Sequence, residues 1–490
     1  LHFDVAQTER LIFLEGGAFG HNLGVAGARE NKYPYSPPIL NVYFMQNVSD
    51  QVVVDTGKSR PQFPAVYPTL GGFQLDNPSS WTKGQPFDLF RDMREQAPVM
   101  WSPSMRKGMS GFWSITRYND IKQVELAPDV FSSQRGSMHL AMPDRSEWKP
   151  RQLIDASLNS LINLDSAVHI NLRTQHAPFF FPKYVETLKE RVGQKVDSLL
   201  DEMERRGPVV DFAKVFSHEL PMYTLCEMLG IDESDRPRVI KWMHYLESAA
   251  QYLTNPLQAF LSEPTLPFRF NAVLREMFEY GKTVMDDRRR HPREDLLTLI
   301  AHAEIDGEPL SQEYLDGSWL LIIFAGNDTT RNSLSGTMRL MTEFPEQRQM
   351  VIDEPGLIPK MTHEALRLVS PVITMRRTAT QEAEIGEQRI AENEKVIMWY
   401  GAANRDPEVF PEPEKFDMHR PNVEKHLAFG HGVHRCLGNR IAQMQLNIAY
   451  ERIFDRFPDI QWTGKQKIAP VVLVHAISSL KVNLKGKRKN

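Results

Sequence analysis

Cysteine is nearly absent from this chain, with two residues, Cys226 and Cys436, among 490. Two thiols cannot build a disulfide framework or the four-thiolate cage of an iron–sulfur cluster, and they suit a reducing compartment. Long apolar runs are missing too. Stretches such as 320–325 (LLIIFA) and 471–474 (VVLV) fall far short of the ~20 residues that cross a bilayer. Neither sign of charge dominates: 58 basic residues face 62 acidic ones, a formal net charge of −4. That balance gives no global field for nucleic acid, and the terminal KGKRKN is too short to supply one. The chain opens on no charged, apolar, small-residue leader, so a cytoplasmic protein without a membrane span is the expectation.

What is present is an ordinary globular composition, 41% hydrophobic and 24% charged, which excludes wholesale disorder. A chain this long can enclose a sizeable cofactor. Residues 1–85 are rich in Gly, Pro and Asn (GGAFGHNLGVAG, YPYSPPILN), and read as an irregular N-terminal extension with short strands at 11–14 and 51–54. From 86 to 490 the texture is that of one largely helical domain. Within 184–206, Val185, Leu188, Val192, Val196, Leu199, Leu200 and Met203 recur at helical spacing. Similar periods cover 234–254, 268–290, 294–304, 345–369 and 437–457. The longest, 311–344, would extend ~45–50 Å and cross a whole domain. Short strands are expected near 373–380 and 395–400, followed by the irregular NRDPEVFPEPEKF. The expected fold class is mainly α with small β-sheets.

Three motifs invite chemistry and fail on inspection. Asp-Thr-Gly at 55–57 is a single triplet, whereas aspartic proteases need two carboxylates sharing a proton. GGAFG at 16–20 lacks the spacing and the following βαβ pattern of a phosphate loop. His363-Glu364 begins a zinc-protease pattern, but Arg367 stands where the second histidine belongs.

Cys436 is different. It ends a Gly-containing loop and directly precedes an amphipathic helix, where free N–H groups and the helix dipole lower a thiol pKa. Gly430, Gly432 and Gly438 let the backbone approach a flat ligand. Cys226, within the apolar LCEML, reads as a buried core thiol. In the long helix, Thr329 and Thr330 can return hydroxyls to the carbonyls of Ala325 and Gly326, bending the helix and opening space. Glu364 and Arg367 are i, i+3 neighbours able to pair.

Phe429-Gly430-x-Gly432-x-His434-Arg435-Cys436-Leu437-Gly438 resembles the haem-binding loop of the cytochrome P450 family. AGNDTT at 325–330, Glu364-Ala365-Leu366-Arg367, ANRDPEVFPEPEKFDMHRP at 403–421 and His169-Ile170-Asn171-Leu172-Arg173 resemble further motifs of that family in the expected order. The resemblance covers about residues 86–485. It implies the cytochrome P450 fold, with haem b between the long central helix and the cysteine loop, and Cys436 as thiolate ligand of the iron. A thiolate pushes electron density onto the iron and favours O–O cleavage. It further implies that Ala325, Phe429, Gly430 and Gly438 border the haem, and that His169, Arg173, Arg377 and His434 hold its propionates. Arg376 stands beside Arg377, so the register is open by one. Asp328 and Thr329 take the catalytic roles of proton delivery and of hydrogen bonding to the activated oxygen. Glu364, Arg367 and Arg420 form a structural trio.

The implied reaction inserts one atom of O2 into a C–H bond of an apolar substrate. GNDTTRNS, MRRTA, VIMWYGAANRD and HRCLGNRIAQMQL are similar to bacterial alkane and fatty-acid terminal hydroxylases. Terpene or steroid hydroxylation is the alternative within the family, and a non-oxygenating haem-thiolate enzyme the alternative outside monooxygenation. Ala325 departs from the glycine usual in the alkane enzymes. Position relative to the motifs nominates Ile322, Ala325, Ile373, Thr374 and Met375 as pocket lining. Electrons from NAD(P)H would arrive through a ferredoxin reductase and a ferredoxin, with Arg435 and Arg440 as docking candidates.

Overall fold

A computed structural model of the protein describes residues 73–104, 110–136, 140, 152–254 and 264–485. They belong to one compact unit, Ser59–Asn490. The strands expected at 11–14 and 51–54, Asp-Thr-Gly and GGAFG lie outside the described residues.

The helical body begins with α1 (Phe87–Gln96), α2 (Tyr118–Leu126), α3 (Gln152–Leu158) and α4 (Ser166–His176). It continues through α5 (Pro182–Arg206), α6 (Glu219–Leu229), α7 (Arg236–Thr254), α8 (Leu266–Arg290) and α9 (Leu296–Ala301). The long helix α10 (Gln312–Glu343) is followed by α11 (Pro345–Asp353), α12 (Ile358–Val369), the single turn α13 (Tyr400–Ala403) and α14 (Asn439–Arg456). The expected helices are therefore present, the 345–369 segment being divided in two. On α5, Pro182 pre-sets the first turn and the predicted apolar stripe is buried along its length. Helix α10 stops at Phe344 because Pro345 disfavours helical backbone in the residue before it.

Two small sheets flank the helices, besides two hairpins, β5 (Glu304–Ile305) with β6 (Glu308–Pro309) and β8 (Ala383–Ile385) with β9 (Gln388–Ile390). β1 (Val99–Ser102), β2 (Phe112–Ile115), β3 (Phe131–Ser132), β7 (Thr374–Ala379) and β10 (Lys395–Trp399) form a sheet in the order β1-β2-β10-β7-β3. β4 (Val209–Asp211), β11 (Gln461–Ala469) and β12 (Ala476–Asn483) form the other, in the order β11-β12-β4. The first sheet fixes the site's register: β7 pairs antiparallel with β10, placing Arg377 opposite Val396 and Met375 opposite Met398.

Residues just ahead of 86 also pack on the helical body. Leu75 and Trp81 are buried, and Trp81 stacks on Trp399 with ring centroids 5.6 Å apart. Gln85 donates to the carbonyls of Val369 and Ser370 at the end of α12. Residues 73–85 thus pack as part of the body, through large side chains set in a Pro- and Gly-rich background.

Candidate active site

The Cys436 loop runs from a 3₁₀ turn at Leu427–Phe429 to the start of α14. Its path reverses at Gly430 and Gly432, whose φ angles of 65° and 63° lie in the left-handed region that favours glycine. The Cys436 N–H donates to Phe429 O at 2.8 Å, and Asn439 Nδ2 donates to Cys436 O at 2.7 Å. The backbone of Cys436 is thereby held on both sides. Gly438 has ordinary helical-side backbone and caps α14, and a Cβ there would meet Phe180 at 4.0 Å. The expected lowering of the thiol pKa is outweighed: burial raises it, against the Gly438 N–H and the charges of Arg173 and Arg435. A bound iron would deprotonate such a thiol outright.

Beside the loop lies a polar cluster. His169 on α4 and His434 on the loop face each other at 4.1 Å between ring centroids. His169 Nε2 is buried without a partner, an uncommon state for a polar atom. Arg173, one turn on, donates to Arg435 O. Burial, and after it Arg173, push His169 down to about 4; burial and Arg377 push His434 still lower. Those shifts place Arg377 near both imidazoles. Arg376, on the opposite face of β7, is fully buried and reaches Thr378 Oγ1 at 3.4 Å instead. Of the two neighbouring arginines, Arg377 is the one whose charge acts on both imidazoles. Two arginines, two neutral imidazoles, an orphan ring nitrogen and a thiol in a glycine cradle suit a flat iron macrocycle carrying two carboxylates.

Helix α10 supplies the other half. Its middle is buried or half-buried except at Ala325 and Gly326, which are exposed although flanked by the buried Ile323, Asn327 and Asp328. Thr329 is half-buried, and its hydroxyl returns to Ala325 O at 3.2 Å. The hydroxyl return expected of Thr329 is therefore present, and α10 runs through it as continuous helix. Asp328 is buried and lies 3.3 Å from Arg331, one turn on, with Asn327 Nδ2 at 3.4 Å.

Glu364, Arg367 and Arg420 do meet. Arg367 forks onto both Glu364 oxygens at 2.8 Å, with both residues fully buried, and Arg420 Nε reaches the same carboxylate at 3.1 Å. Arg367 also holds the carbonyls of Asn404 and Pro413, while Asn404 Oδ1 accepts the N–H of Leu427. The trio therefore ties α12 to the irregular segment and the cysteine loop.

Of the pocket candidates, Ile322 is half-buried against the main core. Met375 packs with Phe324, Ile162, Val372, Val471, Leu473 and Val474 in an apolar cluster. Ile373 does not join it; this residue is buried with Phe90, Ile397 and Trp399 in the cluster beneath α1. Thr374 is likewise buried, reaching Val472 O at 3.4 Å. Phe324, Val372, Leu473 and Val474, which share the cluster with Met375, are not among the sequence candidates, although the run at 471–474 is visible in the sequence.

The model of the cytochrome P450 family matches residues 61–468. Linalool 8-monooxygenase of Pseudomonas putida is 32% identical over 84% of this chain and 98% of its own. A methyl-branched lipid omega-hydroxylase of Mycobacterium tuberculosis is 30% identical over 80% and 90%. Among solved structures, a Mycobacterium marinum cytochrome P450 in complex with pseudoionone superposes with a TM-score of 0.76, at 30% identity over 87% of this chain and 99% of that one. The chain belongs to the cytochrome P450 family and is a cytochrome P450 monooxygenase, which implies haem-thiolate iron and O2. Its relatives act on hydrophobic molecules, and no helix among the described residues is long and apolar enough to cross a membrane.

Proposed function

We propose that this monooxygenase hydroxylates an apolar aliphatic substrate, alkane or fatty-acid in type, at or near the chain end. The observation that carries the reading is the exposed Ala325–Gly326 step on α10, with Phe324 and Met375 belonging to a wholly apolar cluster. An apolar chain offers no polar handle near its end, so position must be set by shape. Terminal C–H bonds are stronger than internal ones, and a narrow channel selects them by proximity. The Ala325 methyl forms one wall.

In this reading Cys436 ligates the iron of haem b, His169, Arg173, Arg377 and His434 hold the propionates, and Phe429, Gly430 and Gly438 border the ring. The bound haem supplies reductive activation of O2. Asp328 passes protons inward from its buried pairing with Arg331, and Thr329, its hydroxyl resting on Ala325 O, holds them at the reacting face. Electrons come from NAD(P)H through a ferredoxin reductase and a ferredoxin. Leu126, Ile170 and Phe181 are large exposed apolar side chains beside residues of the loop's surroundings, and Arg435 and Arg440 are exposed on the loop and α14. That mixture suits an acidic partner.

The test is turnover of a medium-chain alkane and a fatty acid with ferredoxin, reductase and NADH. Terminal alcohols coupled to NADH use support the reading. Predominantly internal alcohols, or turnover only of terpenes or steroids, assign the alternative, which the linalool relative favours.

A further inference from the structure

We infer that Glu125 is a positioning residue for the Cys436 loop, and that its charge state sets how readily the iron held there accepts an electron. The inference rests on the haem-thiolate reading.

Helix α2 buries Tyr118, Ile121 and Val124, and the same face buries Glu125 at 4% exposure. A carboxyl there is costly. Its Oε1 accepts the hydroxyl of Tyr400 on α13 at 2.6 Å, Tyr400 being buried as well. The other oxygen, Oε2, is buried with no partner. The cysteine loop lies directly on this residue. A Cβ at Gly430 would sit 3.1 Å from Glu125 Oε1, and one at Gly432 only 2.3 Å from the Glu125 carbonyl oxygen. The backbone N–H of His431, between those glycines, faces the carboxyl closely enough to favour its charged form.

An apolar side chain or an amide would fill this place more cheaply than an acid with one unsatisfied oxygen. The acid's distinguishing property is its proton. The groups facing it are Tyr400 from α13, Arg377 from β7, the His431 N–H from the loop, and Tyr118 from its own helix. Burial outweighs the bond from Tyr400, the charge of Arg377 and the His431 N–H, and raises the carboxyl to about 7. Both charge states are therefore populated near neutrality. Loss of the proton draws the His431 N–H and places a negative charge against the loop. Reduction of ferric iron adds an electron, so a neighbouring negative charge disfavours it. The ferredoxin-supplied electron should enter less readily above neutral pH.

The experiment is a potentiometric titration of the haem-loaded protein from about pH 5.5 to 8.5, for the parent, Glu125→Gln and Tyr400→Phe. The reduced carbon monoxide spectrum comes first. Absence of the thiolate band in the parent defeats the haem-thiolate reading itself, independently of Glu125. With that band present, the parent's potential should step to more negative values around neutral pH. Glu125→Gln should lack the step and stay at the acid-side value. Tyr400→Phe, which removes a bond favouring the carboxylate, should move the step to higher pH. No step in the parent, or its survival in Glu125→Gln, overturns the inference. Should Glu125→Gln fail to load haem, an unmoved step in Tyr400→Phe overturns it equally.

Discussion

Asp328 and Arg331 face each other across one turn of α10, carboxylate to guanidinium at 3.3 Å, with both side chains withdrawn from solvent. The arginine holds the acid in place. Asp328→Asn should retain haem yet lower kcat about 10²-fold, the lower range for loss of a positioned proton donor. Arg331→Met strands a buried carboxylate and should cost about 3–5 kcal/mol in urea unfolding. An unchanged kcat in Asp328→Asn would contradict the proton-delivery role.

Thr329→Ala removes the hydroxyl that rests on Ala325 O. Haem binding and NADH consumption should persist, with peroxide released in place of product. Thr329→Ser should recover much of the coupling, since it restores the donor. Product formed per NADH, compared with the parent, decides the matter.

Arg367→Met should prevent accumulation of haem-loaded protein. Glu364 would be left fully buried with only Arg420 and the Asp417 N–H. Breaking one side of such a pair costs about 3–5 kcal/mol, a large share of a domain's stability. Haem content after purification checks it; parent-like loading would show the trio to be dispensable.

Acid sensitivity follows from His426. Its Nδ1 accepts the Ala428 N–H at 3.2 Å, and its Nε2 faces His363 Nδ1 at 3.2 Å. Burial holds this imidazole down at about 3. Between the unfolded value near 6.5 and that folded value, only the unfolded chain takes the proton. Stability is therefore lost as pH falls through this window, by up to about 1.4 kcal/mol per pH unit for this group. His426→Asn keeps an acceptor at the turn and should flatten the acid limb of unfolding. Parallel limbs for the two proteins would exclude His426 as a source.

Much of this site was legible because its signals are local. The period of α10, the glycine–cysteine loop and the Glu364–Arg367 spacing each lie within a few residues of one another. What escaped depends on contacts between distant segments. Val372 and Ile373 are adjacent, yet they pack in different clusters, and no periodicity shows which one meets Phe324. Trp81 sits in a Pro- and Gly-rich stretch, and its partner Trp399 is more than 300 residues away. Glu125 was invisible for the same reason: a charged residue near a helix end reads as solvated until α13 and the cysteine loop close over it.

The central claim is that Cys436, clamped by Phe429 O and Asn439, ligates the iron. Its most direct test is the spectrum of reduced protein with carbon monoxide, for the parent and for Cys436→Ser. The parent should show the red-shifted thiolate band and the variant should lose it. A parent without the band, or a variant that keeps it, would contradict the account.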